Sequence, residues 1–211
     1  MIRRAFAHSC YEIERVSTSA GGAASTIEEG AEAAASADRA PRDLKPPKPP
    51  TNPLDLAKAI RHLAAGSPER AKLIDQFAKL STHSCPPQCA PGAIVKGEAD
   101  RVVLGKWADG GGYVGEASGN GGIWYQTPPD TYPILGKDAA WETNQAFLRQ
   151  QMQSGVPKLE FTGMDIDAEM EKFASVPPES LPARVKEIQF LQDNAASYAY
   201  TQQGNSFVKL P

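Results

Sequence analysis

The sequence predicts an α/β fold: a small mixed or parallel sheet covered by helices, preceded by an N-terminal helical hairpin and a disordered Ala/Pro-rich leader. Short apolar or alternating runs at Arg101–Leu104, Ile123–Tyr125 and Lys158–Thr162 have the length and spacing of strands. Segments with helical apolar spacing separate and follow them. A sharp boundary at Asn52-Pro53 divides this region from one that has almost nothing to bury.

The 211 residues, 41% hydrophobic and 22% charged, suit one ordinary globular domain with a tail. With 25 acidic against 22 basic residues the formal charge is −3, so there is no global positive field and a nucleic-acid substrate would need a local basic groove. The start Met1-Ile-Arg-Arg4 is basic, but Tyr11-Glu-Ile-Glu14 stands where an export signal needs a long apolar run. No later run approaches the roughly 18 apolar residues of a membrane span, so neither a classical signal peptide nor a membrane role is expected. Cys10, Cys85 and Cys89 cannot all pair within one chain, this number does not suggest an oxidised framework, and a reducing compartment is the expectation.

Residues 1–51 form the leader and spacer. From Ser17 to Pro50 the chain is mostly Ala, Ser, Gly, Glu and Pro, with few large apolar side chains to bury. Leu44-Lys-Pro-Pro-Lys-Pro-Pro50 reads as an extended polyproline spacer, and its PxxP spacings, Pro46 with Pro49 and Pro47 with Pro50, are taken as part of that spacer. The α/β domain spans 52–211. Asn52-Pro53 and Ser67-Pro68 each place a capping side chain before a proline at the first helical position. Leu54, Leu56, Ala59, Ile60 and Leu63 share one side of the first helix, and Ala71, Ile74, Phe77, Ala78 and Leu80 one side of the second, which makes a helical hairpin over 52–80. His83 to Gly92, with three prolines, is predicted to be a loop.

The sheet-containing core covers 101–211. Besides its three strands it holds a long helix capped by Asp138, with Ala140, Trp141, Phe147, Leu148 and Met152 on one stripe and Gly155-Val-Pro157 as its stop. Further helices are predicted at Asp165–Ala174 and Pro182–Asp193, the latter aligning Val185, Ile188 and Leu191. Ser197–Leu210 reads as a hairpin turning at Gly204-Asn205. In such sheets ligands bind beyond the carboxyl ends of the strands, which makes the loops after Leu104, Tyr125 and Thr162 the expected functional rim.

The loop from Gly105 to Glu116 has glycines that could expose amides to a phosphate, although its spacing matches no dinucleotide or P-loop fingerprint. On this reading Arg101 and Lys106 bind an anion and Glu116 is the nearest carboxylate for proton transfer, so these three are the candidate catalytic residues. Trp107, Tyr113, Trp124 and Tyr125 surround the loop. Stacking on a base or nicotinamide ring is assigned to Trp124 or Tyr113. Asn144 lies three positions from both Trp141 and Phe147, near the apolar stripe, where a buried amide must tie down a loop or meet a ligand. His83, Cys85 and Cys89 lack a fourth ligand at structural-zinc spacing, so no metal and no cofactor is expected. With histidines only at 8, 62 and 83, chemistry by Glu, Lys, Arg or Tyr is favoured over a histidine-based triad.

Val103-Leu-Gly-Lys-Trp107, Gly121-Gly-Ile-Trp-Tyr125 and Ala140-Trp-Glu-Thr-Asn-Gln-Ala-Phe-Leu148, followed by Ser154-Gly155, resemble the variable C-terminal toxin domains of bacterial polymorphic toxins of the Rhs and contact-dependent types. The likeness covers Arg101 to Phe161. It implies an antibacterial effector of bacterial competition, secreted or delivered by a specialised system, acting in the target-cell cytoplasm and blocked by a cognate immunity protein. It transfers no catalytic residue, because related modules differ in chemistry. Taken with the rim, it leads to an expected action on a nucleotide-containing substrate, RNA or NAD, by a ribonuclease or an NAD-consuming glycohydrolase or transferase. The alternative is a non-catalytic module whose Gly-rich aromatic rim binds a protein. Convergence of Arg101, Lys106, Glu116 and Trp124 in one pocket favours catalysis there; dispersal of Lys106 and Glu116 counts against it.

Overall fold

In the computed structural model, which describes residues 50–85, 99–108 and 111–211, a six-stranded mixed sheet is covered by helices. The leader up to residue 49, Cys10 and Cys89 lie outside the described residues. Helices α1 (Pro53–His62) and α2 (Pro68–Leu80) form the hairpin. Asn52 Oδ1 accepts from the Asp55 amide at 2.9 Å and Ser67 Oγ from the Arg70 amide at 3.2 Å, so each first turn has one of its orphan donors satisfied.

Strand β1 (Thr82–Cys85) corrects the loop expected from His83 onward. It pairs antiparallel with β3 (Gly122–Tyr125), from Thr82 opposite Tyr125 to Cys85 opposite Gly122. The breaking prolines begin only at Pro86, and residues 82–85 keep a full set of ladder amides. Cys85 is disulfide-bonded, although the cysteine count suggested no oxidised framework.

Strand β2 (Arg101–Gly105) lies between β3 and β4 (Lys158–Thr162), parallel to both. Beyond β4 the antiparallel hairpin of β5 (Tyr200–Gln203) and β6 (Ser206–Lys209) completes the order β1-β3-β2-β4-β6-β5. Alternation along β2 separates the layers. Val102 and Leu104 join Leu159, Phe161 and Phe207 in the main core with α1, α2, α4 (Tyr132–Ser154) and α6 (Ala183–Asn194). Val103 turns the other way, to Ala117 of α3 (Gly112–Asn120), Trp124 and Cys85.

The long helix starts earlier than its Asp138 cap implied: one turn from Tyr132 precedes a break at Gly136 (φ 71°, ψ 174°). Phe147, Leu148 and Met152 are buried as the stripe requires, each stabilising by roughly 1.5–3 kcal/mol. Trp141 is displaced to the helix flank, where it meets Phe190 of α6 edge-on at 6.4 Å, and Thr143 takes the fully buried position. Arg70, only 8% exposed, joins the hairpin to this helix. Its Nη1 donates to the carbonyls of Ile60 and Leu63, both at 2.9 Å, and its Nε and Nη2 grip Glu142 at 2.8 and 3.2 Å. The short α5 (Ile166–Lys172) is capped by Asp165, and the Asn205 side chain accepts from the Ile166 amide at 3.1 Å. Among the described residues no helix is long and apolar enough to cross a membrane.

Candidate functional site

The side chains expected to share one rim are divided between the two ends of β2. Arg101 opens the strand and Lys106 follows its last residue, roughly 16 Å away at the rise of an extended chain. Arg101 donates to the Gly121 carbonyl at 2.9 Å, to Glu160 at 3.0 Å and to Glu116 at 3.1 Å. Asn120 Nδ2 holds the other Glu116 oxygen at 2.9 Å, and Lys158 pairs with Glu160 at 3.1 Å. Burial opposes charge on Glu160, but hydrogen bonds and charge from Lys158 and Arg101 outweigh it and hold the carboxyl below its ordinary range. The same balance raises Arg101: burial acts to lower its pKa and the two carboxylates more than offset it. Trp124 is 5% exposed among Cys85, Val103 and Ala117, and stacks on His83 with centroids 5.4 Å apart. Arg101, Lys106, Glu116 and Trp124 therefore do not form a common pocket.

Tyr113 and Asn144 do come together, at the carboxyl ends of β2 and β3. With Leu104, Gly105, Tyr125 and Glu187 they enclose a cavity of about 40 Å³, room for one or two waters. Its position follows from the topology. The chain leaves β2 for α3 on one face of the sheet and β3 for α4 on the other, and the cavity opens where these connections diverge. Two glycines shape it. Gly105 has φ 141°, and a Cβ there would lie 2.8 Å from the Thr162 carbonyl oxygen. Gly112 has φ 56°, and a Cβ would lie 2.5 Å from the Lys106 carbonyl oxygen, so the first turn of α3 can press against the backbone of Lys106 and Trp107 and bring Tyr113 inward.

The Tyr113 hydroxyl donates to the Tyr125 carbonyl at 2.7 Å, the Tyr125 hydroxyl to Thr143 Oγ1 at 2.8 Å, and Thr143 in turn to the Ala140 carbonyl at 2.8 Å. Asn144 Nδ2 donates to Glu187 Oε1 at 2.5 Å, while Asn144 Oδ1 is buried without a hydrogen-bond partner. Among the described residues the lining contains no lysine or arginine. Glu187 is half-buried and lines the cavity, and burial pushes its pKa up to about 7 against the smaller opposing effect of Asn144. Burial also raises both phenols: the Glu187 charge adds to the effect on Tyr113, and the Thr143 and Ser81 hydroxyls partly oppose it on Tyr125. At neutral pH the site thus presents protonated phenols and a carboxyl poised between its two forms.

Glu187 was not foreseen from sequence. Its signal is positional: it precedes Ile188 and stands four residues before Leu191, so it borders the buried stripe of α6. No family model, curated protein or solved structure matches this chain.

Proposed function

We propose that the chain is an antibacterial effector enzyme acting on a nucleotide-containing substrate, with Glu187, in place of Glu116, as the group that moves the proton. The observation behind this reading is a half-buried carboxyl group lining a solvent-sized cavity at the carboxyl ends of parallel strands, with one amide and, among the described residues, no cation in the lining to balance it. Such a group accepts a proton from water or returns one to a leaving group near neutral pH. Asn144 orients the carboxyl and offers its free oxygen to a donor on the substrate or the attacking water. The effector role itself rests on the resemblance of the 101–161 region to polymorphic-toxin domains, and the cognate immunity protein would act by covering the mouth of the cavity.

Induced expression of the parent and Glu187→Gln chains in bacteria, at matched soluble levels, tests the reading. Growth arrest by the parent and not by the variant is expected. A variant as harmful as the parent, or a harmless parent, would overturn it.

A further inference from the structure

We infer that the bond broken at this site is a glycosidic bond to a cationic base, as in a nicotinamide dinucleotide, and not a phosphodiester; this rests on Glu187 being the proton-moving group. Phosphoryl transfer gathers negative charge on the phosphoryl oxygens, and enzymes meet that charge with Arg, Lys or metal ions. Among the described residues the cavity lining has no cation, and Arg101 lies at the other end of β2, bound to Glu116 and Glu160. A carboxylate facing a phosphate there would repel it. Glycosidic cleavage has the opposite requirement, because positive charge develops at the sugar C1′ as the bond loosens, and an adjacent carboxylate stabilises it.

The step balances without a further reactant. Ionised Glu187 takes a proton from water as the water oxygen bonds to C1′. The C1′–N bond breaks with its electron pair going to the pyridinium nitrogen, neutral nicotinamide leaves, and Glu187 releases the proton to solvent. A pyridinium cation beside the carboxyl would also favour its ionised form when substrate is bound. The unpaired Asn144 Oδ1 suits a ribose hydroxyl or the second hydrogen of the water.

The cavity itself holds only the water and the reacting edge of the sugar; the remainder of a dinucleotide must lie outside. Lys106 and Trp107, the latter 55% exposed, follow the lining residue Gly105 in the chain but are not part of the lining, and outside it they would meet the non-reacting diphosphate and an aromatic ring.

Purified full-length chain is incubated separately with NAD and with total bacterial RNA, following nicotinamide release and RNA integrity. Nicotinamide release at least about 100-fold faster than by Glu187→Gln, with RNA intact, is expected. RNA cleavage that depends on Glu187, with NAD untouched, would overturn the glycosidic assignment and leave the proton-moving role of Glu187 standing. No change in either substrate, or equal rates in parent and variant, would overturn both. Trp107→Ala, altered outside the cavity, is expected to raise the KM for NAD about tenfold with kcat within about twofold; an unchanged KM would overturn the placement of the dinucleotide across the mouth.

Discussion

The two ends of β2 carry polar clusters built on opposite rules. At the amino end Arg101 and Lys158 meet Glu116 and Glu160, so that two cations face two carboxylates. At the carboxyl end Glu187 has an amide and, among the described residues, no cation, and the same amide leaves its own oxygen unpaired. The first cluster is complete within the protein; the second leaves an amide oxygen unpaired beside a cavity. The difference also sets opposite responses to pH. Glu160 has a depressed pKa, so its stabilisation is present above its ordinary value of 4.5 and is lost as pH falls. Glu187 titrates near 7 in the folded chain against an ordinary 4.5, so the folded state holds its proton more tightly and stability declines as pH rises between these values.

The largest expected effect is on turnover. Glu187→Gln is expected to lower kcat/KM by roughly 10²–10⁴-fold, whereas Glu116→Gln leaves it within a few-fold; equal losses in the two variants would erase the functional distinction between the clusters. The parent's kcat/KM is expected to fall on acidification with a midpoint near 7, as a base that must be ionised requires. Next is stability: urea titrations should find Glu187→Gln more stable than the parent by up to about 3 kcal/mol at pH 8, the gap closing by pH 4. A gap independent of pH would mean that Glu187 is not held protonated. Arg101→Met should cost about 1–3 kcal/mol at neutral pH, because it leaves two partly buried carboxylates short of a partner, with activity per folded molecule unchanged. The smallest shift is in the pH profile of Asn144→Ala, which besides lowering turnover by removing the group that orients the carboxyl also removes the hydrogen bond that lowers the Glu187 pKa. The acid limb of its pH–rate profile should move to higher pH by roughly a unit or less.

Much of the fold can be read from local chemistry. Caps at Asn52, Ser67 and Asp165, the turn at Gly204-Asn205 and the stripe of Val185, Ile188 and Leu191 each act within a few residues, and each stands where its chemistry puts it. β1 escaped notice because its stability comes from pairing with β3, about 40 residues downstream, and its polar residues give no apolar pattern. The site was legible in part. Asn144 and Tyr113 were recognisable as a polar residue on an apolar stripe and an aromatic beside a glycine-rich turn. Glu187 looked like one more charge on a charged helix, since only tertiary packing encloses its carboxyl. Conversely, Arg101, Lys106 and Glu116 are near in sequence, but an extended strand carries Lys106 away from the other two.

The Arg70 clasp has a mechanical consequence. One guanidinium closes the end of α1, fixes the connection to α2 and grips Glu142 of α4. Tension applied at residue 50 therefore runs through the hairpin into the helix that bears Asn144, and α1 cannot be peeled off without stripping carbonyl partners from a buried cation. Under load, the hairpin and the wall of the cavity would hold or yield as one body.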